Sequence, residues 1–429
     1  MRLGGRLAAA IDVLDDISNK NRPAADALKD WGRAHRFAGA GDRAAIGNIV
    51  YDALRRRRSA AWLMDDDSSR SIAIGVLALE QGMDGEAINA ALEGDQFAPA
   101  ALDQRELDAL ATRSLTDAPD AARADCPDHF LDAVQAGFGD EWVDELAALA
   151  ARPPLDLRVN TLASTRDKAL ARLQRPDAAP TALASEGIRI PPVEGSGRHP
   201  NVQADQAFAD GWFEVQDEGS QIVAELTGAS AGMQVLDYCA GAGGKTLALS
   251  AMMENKGQIF AHDAEKQRLA PIHERLRRAG ARNVQAAIGA SSLEPLREAM
   301  DLVLVDAPCT GSGTWRRRPD AKWRLNDRQL AIRTREQFEI LRTACTYVRP
   351  GGRMVYITCS IFPEENQRQI EAFLADNPEF AITDAQELWQ ERFGDTMDRA
   401  RFDANGVILS PARTGTDGFF FAAMTRAAA

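Results

Sequence analysis

Apolar side chains recur three and four positions apart through the first part of the chain, and no strand-like alternation interrupts them. Positions with that spacing share one face of an α-helix, so a sustained run of them predicts an amphipathic helix. Six helices are predicted in this way, over residues 8–16, 23–32, 43–58, 72–80, 85–92 and 102–113. The pattern therefore predicts an all-helical domain over residues 1–143.

The pattern changes at Pro153-Pro154, a pair of residues that the interior of a helix does not tolerate. Residues 155–160 then alternate apolar and polar side chains, as a half-buried strand does. A short helix is predicted over residues 166–173, and a second strand over residues 188–190. We therefore expect a small α+β segment over residues 144–208.

Strand-like and helical patterns alternate through the remainder of the chain, which we expect to form a third domain over residues 209–429. Strands are predicted at 235–237, 258–261, 302–305 and 354–358, and helices at 219–227, 245–253, 267–279, 328–348 and 364–377. This alternation is typical of a parallel, doubly wound α/β sheet. The apolar run at 419–424 predicts a buried final strand.

The net charge of −13 discourages non-specific attraction to nucleic acid. Basic residues nevertheless cluster at two places, which are Arg55, Arg56, Arg57 and Arg58 in the first and Arg316, Arg317, Arg318, Lys322, Arg324 and Arg328 in the second. Local basic patches can bind phosphate when the total charge is negative. They can also be solvated helix faces, and the sequence leaves both possibilities open.

The sequence disfavours a membrane or metal-binding class. It contains no uncharged apolar run long enough to span a bilayer, and Asp12, Asp15 and Asp16 interrupt the first apolar stretch, unlike a signal peptide. The five cysteines include no C-x-x-C pair, which argues against a disulfide framework or a structural zinc site. The five histidines form no H-E-x-x-H pattern. We expect a cytoplasmic protein with no membrane or metal partner.

A glycine-rich turn separates the predicted strand 235–237 from the next helix, with the sequence Cys239-Ala240-Gly241-Ala242-Gly243-Gly244-Lys245. Its end looks like a P-loop, but Cys239 stands where the first glycine of that motif is needed, which disfavours ATP or GTP hydrolysis. A nucleoside cofactor predicts an acid about 20 residues further on, for the ribose hydroxyls. Asp263 has that position, so we expect a nucleoside cofactor here.

Two cysteines follow predicted strands. Cys309 comes after strand 302–305 and Asp306, and Cys359 comes after strand 354–358. Ligands of open α/β sheets bind beyond the carboxyl ends of the strands, so both thiols are expected beside the cofactor. A lone cysteine there would be interpreted as inert packing, but a second one favours chemistry. Cys359 also precedes a predicted helix, whose dipole favours the nucleophilic thiolate.

A thiol nucleophile beside a nucleoside cofactor suits the methylation of a pyrimidine. Carbon-5 of the ring is a poor nucleophile. A thiolate that adds to carbon-6 makes carbon-5 enamine-like and able to attack a methyl donor, and a second thiol or base can assist elimination.

Four stretches match a known set of motifs: Asp237-Tyr238-Cys239-Ala240-Gly241-Ala242-Gly243-Gly244-Lys245, Asp306-Ala307-Pro308-Cys309-Thr310-Gly311-Ser312-Gly313, Arg318-Pro319-Asp320-Ala321-Lys322-Trp323 and Tyr356-Ile357-Thr358-Cys359-Ser360. They resemble the motifs of the RsmB/Sun family of RNA cytosine-5 methyltransferases, as do residues 152–160, 215–221 and 417–421. The helical N-terminus is similar to the NusB-like RNA-binding domain of the RsmB branch.

The resemblance implies a class I, Rossmann-like, seven-stranded methyltransferase domain behind an all-α NusB-like domain and a small RRM-like, RNA-binding α+β segment. It implies S-adenosylmethionine as the methyl donor. Cys359 would be the nucleophile and Cys309 would help to release the product. Asp306 would contact the base and border the cofactor, and Lys322 would lie near the active site. The cofactor-binding residues would be Cys239, Ala240, Gly241, Ala242, Gly243, Gly244, Lys245, Asp263 and Asp306.

Two positions depart from the family pattern. Gly241-Ala242 replaces the usual Ala-Pro in the turn. An acid is usual after the third strand, to contact the adenine region, whereas the matching residues here are Ala287-Ile288-Gly289-Ala290-Ser291. Either backbone groups or Ser291 substitute for the acid, or the affinity for the cofactor is lower.

The expected partner is RNA, bound by a monomer. Small-subunit ribosomal RNA is favoured because the helical N-terminus is similar to the RsmB branch, and transfer RNA is the alternative. A non-catalytic RNA-binding assembly protein is a second interpretation, which the missing acid and the negative charge favour. An enzyme acting on DNA or a small molecule ranks lower, since the helical domain would then lack a purpose.

Overall fold

The computed structural model describes residues 1–428, the side chain of Ala290 excepted. These residues form two compact units. The first unit comprises Met1–Pro153, Pro192–His199 and Thr314–Leu325, and the second comprises the other described residues. The segment that carries Lys322 thus belongs to the first unit.

The first unit is built from helices, as the apolar spacing predicts. They are α1 (Leu3–Lys20), α2 (Ala24–Ala34), α3 (Ala40–Arg55), α4 (Arg57–Met64), α5 (Ser69–Gln81), α6 (Gly85–Leu92), α7 (Gln104–Thr112), α8 (Asp120–Arg123), α9 (Leu131–Phe138) and α10 (Trp142–Leu149). The apolar faces of α1 to α7 meet in one core that includes Leu7, Ile46, Val50 and Leu77. Burying such faces stabilises helices of this length more than intrinsic propensity does.

The four arginines of the run at residues 55–58 each have a partner within the first unit. The predicted helix 43–58 is two helices that meet at Arg56, where φ is −104°. Each arginine contacts a neighbour inside the first unit: Asp52 for Arg55, Glu80 for Arg56, the ring of Trp323 for Arg57 and Asp128 for Arg58. Four adjacent arginines on two helices point in different directions, so each finds its own partner.

The second unit contains a small antiparallel sheet in the order β2-β3-β1-β4. Its strands are β1 (Leu155–Val159), β2 (Ala179–Pro180), β3 (Gly187–Ile190) and β4 (Phe213–Val215), and its helices are α11 (Arg166–Leu173) and α12 (Gln206–Ala209). The strands bury Leu157, Ile188 and Phe213 in a core of their own. Because Leu157 pairs with Val215, this sheet extends past residue 208, where the sequence pattern suggested a boundary.

The larger sheet has nine strands. They are β5 (Gln234–Asp237), β6 (Gln258–His262), β7 (Val284–Ala287), β8 (Met300–Asp306), β9 (Val348–Thr358), β10 (Phe380–Ile382), β11 (Arg401–Asp403), β12 (Gly406–Leu409) and β13 (Phe419–Arg426). The helices of this part of the chain are α13 (Glu218–Glu225), α14 (Gly244–Met252), α15 (Lys266–Leu269), α16 (Ile272–Ala279), α17 (Pro319–Arg324, in the first unit), α18 (Asp327–Ala344), α19 (Gln367–Asp376), α20 (Ala385–Phe393) and α21 (Pro411–Thr414).

The strand order is β11-β12-β13-β9-β8-β5-β6-β7, and β10 pairs with β13. The five strands from β9 to β7 in this order are parallel, whereas β13 runs antiparallel to β9. The predicted doubly wound α/β fold is confirmed. The seven strands from β12 to β7 match the number that the family resemblance implies. The sequence pattern did not predict the four-residue strands β7 and β12 or the three-residue strands β10 and β11.

The order of the strands fixes where a ligand can bind. The chain passes from β5 to β6 on one side and returns to β8 on the other side of β5. Ligands of open α/β sheets bind at such a switch point, outside the carboxyl ends of the strands. The residues that follow β5 and β8 are therefore the expected lining of the site.

Candidate active site

Three strands bring the sequence-predicted residues to one edge of the large sheet. Asp237, the last residue of β5, is in register with Leu304 of β8. Asp306, the last residue of β8, is in register with Ile357 of β9. The segments that follow these strands carry the glycine turn, Cys309 and Cys359, so all three lie at the carboxyl edge of adjacent strands.

The glycine turn connects β5 to α14. Gly243 has a φ of +85°, and a Cβ added there would lie 2.7 Å from Cγ1 of Ile272, so this position requires glycine. Gly241 also has a positive φ, of 51°. Its N–H donates to Oδ2 of Asp263 over 2.9 Å, while Oδ1 of Asp263 accepts from the N–H of Glu265 over 2.9 Å. The structure thus brings Asp263 against the turn.

Lys245 and Asp306 form an ion pair between the turn and the end of β8. Nζ of Lys245 lies 2.7 Å from Oδ2 of Asp306. The lysine side chain is 7% exposed and the aspartate side chain is 34% exposed, so the aspartate faces the open side of the pair. The ammonium also lies 5.5 Å from the ring centre of Phe419 on β13.

Asp237 lies beside the turn with side-chain contacts that the sequence did not predict. Its side chain is buried, and Oδ2 accepts a hydrogen bond of 2.6 Å from Oγ1 of Thr246 in α14. Among the described residues, Oδ1 has no hydrogen-bond partner. Burial raises the pKa of Asp237 to about 7, and the bond from Thr246 acts in the opposite direction. The sequence feature that could have identified Asp237 is an acidic residue at the end of an apolar strand, immediately before the glycine turn.

The two thiols are in contact. Sγ of Cys309 lies 3.4 Å from Sγ of Cys359, and both side chains are half-buried free cysteines. The hydrogen bond with Cys359, burial and the charges of Cys359 and Glu365 raise the pKa of Cys309 well above its ordinary value. Burial also raises the pKa of Cys239 in the turn, so that side chain stays a neutral thiol.

Glu365 and Gln337 hold the segment around Cys309 and were missed by the sequence analysis. Glu365 is 0% exposed. Its Oε1 accepts from the backbone N–H of Thr310 over 2.8 Å, and its Oε2 accepts from the hydroxyl of Thr310 over 2.5 Å. Nε2 of Gln337, on α18, donates to Oε1 of Glu365 over 2.9 Å and to the carbonyl of Pro308 over 3.0 Å.

A second set of bonds shapes the segment around Cys359. The hydroxyl of Thr358 donates to Oδ1 of Asn366 over 2.5 Å, and Nδ2 of Asn366 donates to the carbonyl of Ser360 over 2.9 Å. The N–H of Gly313 donates to the carbonyl of Cys359 over 2.9 Å. The backbone on both sides of each thiol is therefore fixed by buried hydrogen bonds.

Lys322 lies in the interior of the first unit. Its side chain is 2% exposed, and Nζ is 3.4 Å from the carbonyl of Arg55 and 4.9 Å from the ring centre of Trp323. Burial lowers the pKa of Lys322 to about 8, although the nearby Asp125 opposes the shift. The catalytic assignment of Lys322 stays a prediction.

The residues at the sheet edge fit a nucleoside cofactor. Asp263 is an acceptor fixed beside the turn, and the first-turn N–H groups of α14 have no partner within their own helix. Lys245 and Asp306 supply one charge of each sign. The end of β7 carries no acid: Ile288 is 50% exposed there, and Gly289 has a φ of +84°.

Two further searches of the described residues bear on the class of protein. None of the described helices combines the length and the apolar character needed to cross a bilayer. Within the same residues, no group of three or more His, Cys, Asp or Glu side chains is arranged to hold a metal ion.

Two protein-family models match the chain. The model described as 16S rRNA methyltransferase RsmB/F matches residues 226–425. The model described as the ferredoxin-like domain of RsmF/B-like methyltransferases matches residues 126–192. The two matches cover the larger sheet and most of the region of the small sheet.

Curated relatives include Ribosomal RNA small subunit methyltransferase B of Klebsiella pneumoniae subsp. pneumoniae, 33% identical over 311 residues. That alignment covers 70% of this chain and 66% of the relative, slightly less than two thirds of its length. The protein of the same name from Citrobacter koseri is 33% identical over 330 residues, covering 75% of this chain and 71% of the relative.

Solved structures share the fold. A methyltransferase homolog protein from Pyrococcus horikoshii superposes with a TM-score of 0.58 at 25% identity, over 73% of this chain and 100% of that chain. NSun6 from Pyrococcus horikoshii, solved with SFG, gives a TM-score of 0.59 at 20% identity, over 70% of this chain and 98% of that chain.

Proposed function

The chain belongs to the RsmB/F family of methyltransferases, and we propose on that premise that it methylates carbon-5 of a cytosine in RNA. S-adenosylmethionine is the cofactor, and when bound it supplies an electrophilic methyl group. The proposed target is small-subunit ribosomal RNA, because the curated relatives carry that name. Transfer RNA is the alternative substrate.

The glycine turn and Asp263 are proposed to bind the cofactor. Asp263 would accept hydrogen bonds from the ribose hydroxyls with lone pairs that Gly241 and Glu265 do not use. The backbone from Cys239 to Lys245 would lie against the methionine part, since glycines permit a close approach. Ile288 offers an apolar surface at the position where the family carries an acid.

Cys359 is the proposed nucleophile. Its thiolate would form a bond to carbon-6 of the cytosine, which makes carbon-5 electron-rich enough to accept the methyl group. Asp306 would contact the N3 edge of the base with Oδ1, because Lys245 binds Oδ2. Cys309 would take the proton from carbon-5, after which the carbon-6–sulfur bond breaks and Cys359 regains its thiolate.

The contact between the two thiols is the observation that carries this proposal. A separation of 3.4 Å between Sγ of Cys309 and Sγ of Cys359 lets both sulfurs reach adjacent carbons of one pyrimidine ring. A tight turn with no ligand, or a binding protein with no catalysis, has no need of two thiols at this edge.

The substitution Cys359→Ala tests the nucleophile. We expect the rate of 5-methylcytosine formation to fall on the order of 1000-fold or more, because the covalent route is lost. The measurement is mass spectrometry of nucleosides from small-subunit ribosomal RNA and, in parallel, transfer RNA incubated with the protein and S-adenosylmethionine. Cys345→Ser is the matched control, since Cys345 is a buried cysteine outside the site. Wild-type rates in the Cys359→Ala variant would exclude the assignment.

A further inference from the structure

We infer that Glu365 is a positioning residue that assigns different tasks to the two thiols, by fixing the turn at Cys309 and keeping a negative charge beside it. The inference rests on the proposed function, because the two tasks are attack and release. Glu365 itself does not contact the base or the cofactor in this account. It acts by holding Thr310 and Gln337, and by its negative charge near Cys309.

The geometry around Glu365 forms a closed set of hydrogen bonds. Both oxygens of its carboxyl group bind Thr310, the residue that follows Cys309, at 2.8 Å and 2.5 Å. Gln337 links Oε1 of Glu365 to the carbonyl of Pro308, the residue that precedes Cys309. The backbone is therefore held on each side of Cys309, and the thiol has little freedom to move away from Cys359.

The donors also define the charge of Glu365. The carboxyl group receives hydrogens from a backbone N–H, a hydroxyl and a side-chain amide, and it gives none. A group that only accepts is an ionised carboxylate. At 0% exposure it is shielded from water, and its negative charge is one of the causes that raise the pKa of Cys309.

The charge of Glu365 is one of the influences on the pKa of Cys309. The bond with Cys359, burial, and the charges of Cys359 and Glu365 all raise the pKa of Cys309. Cys309 thus keeps its proton while Cys359, whose sulfur lies 3.4 Å away, makes the proposed attack on carbon-6. The resting site then contains one nucleophile and one thiol.

The roles of the two thiols change once the sulfur of Cys359 has bonded to carbon-6 of the cytosine. Its sulfur is then uncharged, so it no longer opposes ionisation of Cys309, which releases its proton to solvent. Cys309 next takes the proton from carbon-5, the carbon–hydrogen electron pair forms the double bond between carbon-5 and carbon-6, and the carbon-6–sulfur bond breaks. Glu365 keeps the Cys309 sulfur in place through both stages.

Glu365→Gln tests the inference without substrate or cofactor. The variant keeps the volume of the side chain and removes its charge. We expect the ratio of Cys309 to Cys359 alkylation by iodoacetamide, resolved by peptide mass spectrometry between pH 6 and 9, to rise about three- to tenfold. Glu364→Gln is the matched control, because the adjacent Glu364 pairs with Arg368 instead. A wild-type ratio in Glu365→Gln would overturn the inference.

Two further arms complete the experiment. Thr310→Val removes the hydroxyl that binds Oε2 of Glu365 while keeping the shape of the side chain. This variant should change the alkylation ratio in the same direction by a smaller factor. No change of the ratio in both Thr310→Val and Glu365→Gln contradicts the inference.

With RNA and S-adenosylmethionine, Glu365→Gln should accumulate protein–RNA adduct on a denaturing gel while Glu364→Gln does not. If wild-type protein forms no 5-methylcytosine, the proposed function fails, and the alkylation ratio still decides the role of Glu365.

Discussion

Two carboxyl groups of the site, Asp237 and Glu365, are both 0% exposed and differ in what surrounds them. Glu365 receives hydrogen bonds on both oxygens, whereas Asp237 receives one, on Oδ2, from Thr246. A buried carboxylate needs donors to remain ionised, because burial without them favours the neutral acid. At the scale of single residues, the number of donors therefore sets the charge at each position.

Asp237→Asn should change how stability depends on pH. The folded pKa of Asp237 is about 7 and the ordinary value is 3.8. A raised folded pKa contributes stability that is present below pH 3.8 and is lost as the pH rises through 7. As the pH increases from 5 to 8, the thermal midpoint of the variant should therefore rise relative to that of wild type. The expected rise is about 2–4 °C for each kcal/mol of unfolding free energy that wild type loses. Parallel pH profiles for the two proteins would contradict this expectation.

At the scale of elements, the sequence predicted what depends on local pattern. Helical spacing identified the helices of the first unit, and strand–helix alternation identified four of the five parallel strands, β5, β6, β8 and β9. The end of α3 at Arg56 was missed, because it depends on the separate acidic partners that Arg56 and Arg58 find in the folded unit. Strands β7, β10, β11 and β12 were missed, because three or four residues show a period poorly. Gln337 was missed because its function depends on Pro308 and Glu365, which other segments bring to it.

Gly243→Ala tests whether the turn between β5 and α14 requires glycine. The added Cβ would meet Ile272 at 2.7 Å, and a φ of +85° is unfavourable for alanine. We expect a loss of about 1–3 kcal/mol of stability, and weaker binding of S-adenosylmethionine in calorimetric titration. Gly232→Ala is the control, because Gly232 has a φ of +96° but nothing within 4 Å of the added Cβ. Equal losses of stability in both variants would show that the contact with Ile272 is unimportant.

At the scale of the whole molecule, one segment of the catalytic half of the sequence belongs to the other unit. Residues Thr314–Leu325 lie between β8 and α18 in the chain, yet they pack within the helical unit. Lys322 is in this segment and is 2% exposed, with Asp125 among the groups that shift its pKa. Its burial argues for a structural role within that unit.

Lys322→Met separates the structural role from the catalytic one. The folded pKa of Lys322 is about 8 and the ordinary value is 10.5, so the buried ammonium is unfavourable at low pH, and this cost disappears as the pH rises from 8 to 10.5. The thermal midpoint of the variant relative to wild type should therefore be higher at pH 7 than at pH 10. We expect its methyl-transfer rate at saturating RNA to stay within about threefold of wild type. A large loss of rate with no change in the midpoint would favour the catalytic role.

Two thiols are proposed to divide attack and release on one cytosine. A denaturing gel of Cys309→Ala incubated with RNA and S-adenosylmethionine tests this division of tasks. Cys359 can still attack in this variant, but the step that breaks the carbon-6–sulfur bond is impaired. We expect a stable protein–RNA band that is absent from the double variant Cys309→Ala, Cys359→Ala. No band in Cys309→Ala, or a band that persists in the double variant, would contradict the account.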